Sequence, residues 1–282
     1  MAISKSHASE LVEIDNNYLE RVNLRKRLLT EERDTCLAAL DSSKPAVDEF
    51  YTWMIGTYLP TRYPLMFRIS DASKLHNTAT GELIPLEPPS TPVSALEILG
   101  RTIEDDLNFL LPAEDGDGYS LHGTVACFVN GFSMARLLNV KLRDIHQPVP
   151  SYKEKLELSM DRFFERLEVG TFWAMNLSPA LFATSGNHNY KGQDCDDLPR
   201  DIDPSKTYLR CERQVLHRLP KTKALLLSTR TYQYPLSDVK AEGSGPELAE
   251  AIDGLKKGNA PGIHFYKRAT VWSESIKSYL KD

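Results

Sequence analysis

No Cys-x-x-Cys pair occurs in this chain, and its four cysteines, Cys36, Cys127, Cys195 and Cys211, are widely spaced. That spacing argues against a cysteine-built zinc site and reads as free thiols. Cys127 lies in an apolar run and reads as core packing. No apolar run approaches the ~20 residues that span a bilayer. There is no block or stripe of basic residues, and the net charge is -5, so nucleic acid is not an expected partner. Dinucleotide-binding glycine fingerprints, phosphate-binding loops, nucleophile elbows and internal repeats are missing as well. Residues 1–10 are polar and lack the apolar stretch of a signal peptide, which makes the cytoplasm the expected location.

What remains is an ordinary globular composition, 41% hydrophobic and 26% charged over 282 residues. That length suffices for one large domain with a sizeable core. Asp15 is placed to cap a helix running to about Leu40, with Tyr18, Leu19, Val22, Leu29, Leu37 and Leu40 on one stripe. Pro45 suits a first helical position, and Val47, Phe50, Tyr51, Met54, Ile55 and Tyr58 continue a helical pattern that Leu59-Pro60 should end. Residues 12–60 therefore form a helical flank. Residues 61–91, with Asn77, Gly81 and a proline cluster, read as a loop-rich surface connection. Residues 95–111 predict a helix. Glu114-Asp115-Gly116-Asp117-Gly118 lacks the length and closing glutamate of a calcium loop and reads as an acidic turn. Residues 119–128 predict a strand, Asn130-Gly131 a turn, and residues 134–140 a short helix or turn.

The stretch Ile145-His146-Gln147-Pro148-Val149-Pro150 has few backbone states, because each proline fixes its own φ and restricts the residue before it. Ser151-Tyr152-Lys153-Glu154 follows as a capping box. His146 is thereby held between a stiff turn and a helix start. It is either a metal ligand or a histidine hydrogen-bonded inside a tight corner. Leu156, Met160, Phe163, Phe164 and Leu167 form a helical face that Gly170 ends. Residues 176–203 are irregular and include His188 in a polar loop.

Residues 208–219 and 224–234, separated by Pro220-Lys221-Thr222-Lys223, predict an antiparallel hairpin. In its first strand Arg210, Glu212 and Gln214 share one side, and Cys211, Arg213, Val215 and His217 the other. Charges on both sides of a central strand require partners: a salt-bridge network or a polar or anionic ligand. Residues 246–257 form a helix opened by Gly245-Pro246, and Trp272, Ile276, Tyr279 and Leu280 mark a last amphipathic helix.

These segments resemble the haem-dependent oxidative N-demethylase family, which is especially common in fungi. The resemblance rests on Asp15-Asn16-Asn17-Tyr18-Leu19, on Tyr58-Leu59-Pro60-Thr61-Arg62-Tyr63-Pro64, on residues 114–120, on His146-Gln147-Pro148-Val149-Pro150, on the run from Cys211-Glu212-Arg213-Gln214 to Leu219-Pro220, and on residues 249–259. It covers nearly the whole chain. It implies a single α+β domain over residues 1–282, a PAS-like antiparallel sheet packed with helices and holding haem b. The implied activity is oxygen-dependent removal of a methyl group from a small amine, with electrons from a partner reductase that uses NAD(P)H and flavin. His146 is the implied axial iron ligand, with His217, then His122 and His188, behind it. Glu212 and Arg213 are implied near haem or substrate. Arg213, or Arg230 on the paired strand, is implied as the partner of a haem propionate.

Two departures stand out. Val129-Asn130-Gly131 replaces a Pro-Ser-Gly turn, and Ala174-Met175-Asn176-Leu177-Ser178 replaces an Arg-x-Asn-Trp-Ser stretch. The lost arginine and tryptophan point to a divergent fungal-type member acting on a larger, less polar molecule in specialised metabolism. A haem-binding sensor or carrier without turnover, and a haem-free member that binds or cyclises a metabolite, are the competing expectations.

Overall fold

A computed structural model describes residues 2–70, 73–129, 133–184 and 202–282. Among the described residues ten strands form two sheets: β1 (Ala2–Ser6), β2 (Leu37–Ala39), β3 (Phe67–Ser70), β4 (Lys74–Asn77), β5 (Glu82–Pro85), β6 (Asp106–Pro112), β7 (Tyr119–Val125), β8 (Phe172–Thr184), β9 (Thr207–Arg218) and β10 (Leu225–Pro235). The large sheet has seven strands in the order β1-β8-β9-β10-β6-β7-β2, all antiparallel. The small one is the meander β3-β4-β5. The fold is α+β, as the sequence predicts, with helices at both ends of the chain.

The β9–β10 hairpin is the spine of the large sheet, with Arg213 opposite Arg230 and Glu212 opposite Thr231. Its loop closes through Leu219 N–H to Ala224 O at 2.9 Å. Side chains alternate across it. Val215 and Leu226 join a core with Val22, Phe50, Met54 and Leu99, under the N-terminal helices. Leu216 and Leu225 join a second core with Leu121, Leu142, Phe164 and Leu167 on the other face. A third cluster, including Leu236, Ile252, Trp272 and Ile276, binds the C-terminal helices together.

Five local expectations are corrected. The first helix spans Tyr18–Glu31 and is followed by one turn, Arg33–Cys36. Residues 37–39 leave it to pair with β7. A short apolar run fits helix or strand equally well, and the open edge of β7 decides it. Residues 61–91 are not mainly loop, because the meander β3-β4-β5 forms there with Phe67, Leu75 and Ile84 buried. The helix expected over 95–111 stops at Thr102, and β6 begins at Asp106. Its start is sound: Thr91 accepts from Ser94 N–H at 3.2 Å and Pro92 sits in the first turn. Phe172–Thr184 is a strand paired with β9, with a register break between Leu177 and Leu181, so the stretch called irregular is regular up to Thr184. The rest of that stretch up to Asp201, with His188 and Cys195, lies outside the described residues, as does Asn130-Gly131.

The helix Lys44–Trp53 does not end at Pro60. It widens into a π-helical turn, Met54–Tyr58, and continues as Leu59–Arg62. Proline has no N–H to complete an ordinary helical bond, and a wide turn just before it accommodates that loss. The acidic turn between β6 and β7 is present, with Ala113 N–H bonded to Gly118 O at 2.9 Å. Among the described residues no helix is long and apolar enough to cross a membrane.

Candidate functional site

His146 caps the C-terminus of the one-turn helix Leu142–Ile145. The corner after it is tied by Val149 N–H to His146 O at 2.9 Å and Tyr152 N–H to Val149 O at 3.1 Å. Ser151 does not form the expected capping box. It takes a left-handed conformation, φ 60°, and its side chain caps nothing. The corner's rigidity comes from the prolines and these backbone turns.

The imidazole Nδ1 lies 2.8 Å from Leu142 O. A carbonyl oxygen only accepts, so Nδ1 carries the proton and Nε2 carries the lone pair. Among the described residues nothing hydrogen-bonds to Nε2. The ring stacks on Tyr152, with centroids 5.1 Å apart and planes 19° apart. Burial holds the imidazole below its usual range, and the Leu142 carbonyl pulls the other way. A neutral ring with its tautomer fixed through Nδ1 is the form that ligates iron. The Tyr152 hydroxyl beside it is buried with no hydrogen-bond partner. An open donor nitrogen next to an unsatisfied hydroxyl fits a group that is to be bound there. Ion pairs brace the corner: Lys141 meets Asp115, and Arg143 meets Asp117, both in the acidic turn.

Among the other described histidines His122 is closed, whereas His217 and His264 keep Nε2 free of a hydrogen bond. His122 is held at both nitrogens, by Ser42 Oγ at 2.7 Å and Ser120 Oγ at 2.9 Å. His217, near the end of β9, is buried. It stacks on Phe172 at 3.9 Å, lies 6.1 Å from Trp53, and binds Thr171 O through Nδ1. His264, which the sequence gave no reason to single out, is buried with Nε2 unpartnered. Among the described residues no three His, Cys, Asp or Glu side chains gather as a metal cluster.

The charged residues of β9 divide between the faces. Glu212 lies on the side of Leu216. Its Oε1 accepts from Arg210 at 2.6 Å and its Oε2 from Gln214 at 3.2 Å. Arg210 is buried and also donates to Phe128 O and to Thr231 Oγ1. Arg213, one residue on, points the opposite way and reaches Glu10 O and the Glu13 carboxylate. Arg230 is on Arg213's side. It pairs with Glu104 at 2.9 Å and Asp15 at 2.6 Å and donates to Glu13 O. A propionate would have to compete with all of these. Of the two expectations for the strand's charges, the structure shows a network of ion pairs.

That network is larger than the sequence revealed. Glu104, Asp105 and Asp106 are consecutive and buried. Arg230 takes Glu104, Arg25 takes Asp106 at 2.6 Å, and Ser228 donates to Asp105 at 2.7 Å. Asp106 also accepts the N–H groups of Cys127 and Phe128. A helical reading of 95–111 hid this triplet, because its carboxylates matter only once the chain is extended there.

The segment 259–267 bridges the His146 corner and Glu212. At one end Asn259 O accepts from Lys155, and a Cβ at Gly262 would come within 2.9 Å of Pro150 Cβ. At the other, Glu212 acts electrostatically on Tyr266 and on Lys267, whose ammonium burial holds below its usual range. Phe265 is left 70% exposed between them. A separate groove of about 300 Å³ runs along Phe163, Trp173, Lys5 and Arg166, and His146 does not line it.

His146 with an open Nε2 and Glu212 therefore share one side of the sheet, while Arg213, Arg230 and His217 occupy the other. The family model of the haem-dependent oxidative N-demethylase, alpha subunit-like, matches residues 2–277. The chain belongs to that family.

Proposed function

We propose that the chain is a haem-dependent oxidoreductase that removes a methyl group oxidatively from an amine, or oxidises a related small molecule. His146 would hold the haem iron. The observation that carries this reading is the Nδ1 bond to Leu142 O, which leaves Nε2 with a lone pair on a ring stacked against Tyr152, whose buried hydroxyl has no partner. What a bound haem b supplies is activation of dioxygen, with electrons from an external NAD(P)H- and flavin-dependent reductase.

The chain's own groups do the rest. Tyr152 stacks on the imidazole and fixes its plane. Glu212, oriented by Arg210 and Gln214, holds a cationic amine or takes a proton from it. Phe265 and Tyr266, exposed on the bridging segment, provide apolar surface beside it. Arg213 and Arg230 anchor the N-terminal segment from the far face. Leu177 pairs in register with Glu212, and Ala174 with Val215. The replaced tryptophan position is thus the backbone partner of Glu212 in the sheet, which supports a larger, less polar substrate. The sheet order and the helical flanks are compatible with a PAS-like haem domain.

The test is oxygen uptake with haem-loaded protein, a chemical reductant and a panel of methylated amines of increasing size. The expected result is amine-dependent oxygen consumption with formaldehyde release, lost in Glu212→Gln. Haem-loaded protein that consumes no oxygen with any amine supports a sensor or carrier instead.

A further inference from the structure

Cys36 and Cys127 are 91 positions apart, and the fold brings them together. Strand β2 pairs with β7 at Leu37 and Val125, and the pairing runs on past the strands, where Ala126 N–H bonds to Cys36 O at 2.7 Å. Both side chains are 1% exposed and both are free thiols. The Ala126–Cys36 bond makes Cys127 the neighbour of the residue that faces Cys36. Neither lies inside a regular strand: Cys36 ends the turn Arg33–Cys36, and Cys127 sits in a bend after β7. Element ends can shift by the small amount that closing a sulfur–sulfur bond demands.

The surroundings of the two sulfurs act in opposite directions: burial and Asp106 disfavour a thiolate, and Arg25 favours it. Arg25 is fully buried, with NH1 on Asp106 and NH2 without a partner. Its charge acts on both cysteines. Asp106 binds the Cys127 N–H, which fixes that residue's backbone against the ion network. Hydrogen bonding from the Cys127 thiol holds the Cys36 thiol below its usual range, while the same contact and burial push Cys127 up. Thr35 Oγ1 also lies 3.8 Å from Cys36 Sγ, where it can donate to a thiolate, so Cys36 is assigned as the nucleophile of the pair and Cys127 as the resolving thiol.

We propose that Cys36 and Cys127 form a redox-active dithiol that hydrogen peroxide converts to a disulfide. The Cys36 thiolate attacks one peroxide oxygen and the O–O bond breaks, giving a sulfenic acid and hydroxide, which takes up the proton the thiol had released. Cys127 sulfur then displaces the sulfenic oxygen, which leaves as water with the Cys127 proton. Two thiols and one peroxide give one disulfide and two waters. Phe128 follows Cys127 directly, and its carbonyl accepts from Arg210, the residue that orients Glu212. The disulfide would thus fix the backbone that the Arg210–Glu212 pair leans on.

The experiment treats the full-length protein with a small excess of hydrogen peroxide, quenches free thiols with iodoacetamide, and maps peptides without reduction. The expected result is a Cys36–Cys127 linked peptide two hydrogens lighter than its parts. It should be reversed by dithiothreitol, be absent from Cys36→Ser, and accompany a rise in Tm of about 5–10 °C. Cys36 and Cys127 both alkylated after treatment, or found only as sulfinic or sulfonic acids, would overturn it. Peptide mapping reads the wild-type chain directly, so the outcome does not depend on how the serine variant folds. No haem is needed for this reaction, so its failure leaves the proposed function standing, and the reverse also holds.

Discussion

At the scale of single residues, the buried acids set the pH behaviour. Burial pushes the Asp105 carboxyl up to about 6, against the pull of Ser228's hydrogen bond. In the unfolded chain it titrates near its ordinary value of ~4. The fold therefore prefers the protonated form. Asp105's favourable contribution is complete below pH ~4 and is lost as the pH rises through about 6. Asp105→Asn keeps an acceptor for Ser228 and removes the titration. Urea unfolding from pH 4 to 8 should show the variant gaining ~3 kcal/mol on the wild type across that range. Curves that stay parallel would count against the assignment. Arg230→Met should act differently. It leaves Glu104, fully buried, without its guanidinium, and should cost ~3–5 kcal/mol at pH 7 in the same assay. A loss under 1 kcal/mol would show that Glu104 finds another partner. The sequence drew attention to His146 at this scale because Pro148 and Pro150 stiffen the chain just after it. The contact between Cys36 and Cys127 was not, because it exists only through the β2–β7 register.

At the scale of elements, the β9–β10 hairpin was plain in the sequence: two long runs of strand-forming residues around a four-residue polar loop. The small meander was hidden, since four-residue strands too short to show an alternation look like loop. Residues 37–39 and 106–111 were read as helix because they adjoin true helices and carry no glycine or proline to mark the break. Packing at one such junction is tight. A Cβ on Gly100 would sit 2.4 Å from Val125 Cγ2 and 3.1 Å from Leu29 Cδ1, where the helix Pro92–Thr102 crosses β7. Gly100→Ala should therefore destabilise by ~1–3 kcal/mol, although alanine is the better helix former. Thermal unfolding checks it, and an unchanged or higher Tm would mean the helix slides freely over the sheet.

At the scale of the whole molecule, the large sheet is a partition. The sequence showed which residues of β9 share a side, but which side meets His146 depended on packing that no local pattern records. One face carries His146, Tyr152, Arg210 and Glu212, and the other carries Arg213, Arg230 and His217. Charge-reversing Arg213→Glu should loosen the N-terminal segment held at Glu10 and Glu13 without changing haem uptake by the folded protein. Proteolysis near the N-terminus, compared with Soret absorbance per folded chain, separates the two effects. A Soret band lost while the fold is kept would place Arg213 at the haem after all.

The account depends most on the lone pair of His146 Nε2. The direct measurement is haem titration of purified wild-type chain and His146→Ala, followed by absorption spectroscopy, with circular dichroism to show that both are folded. The wild type should develop a Soret band at one haem per chain, and the variant should lose it or show it shifted. An identical band and equal haem affinity in a folded His146→Ala protein would contradict the assignment.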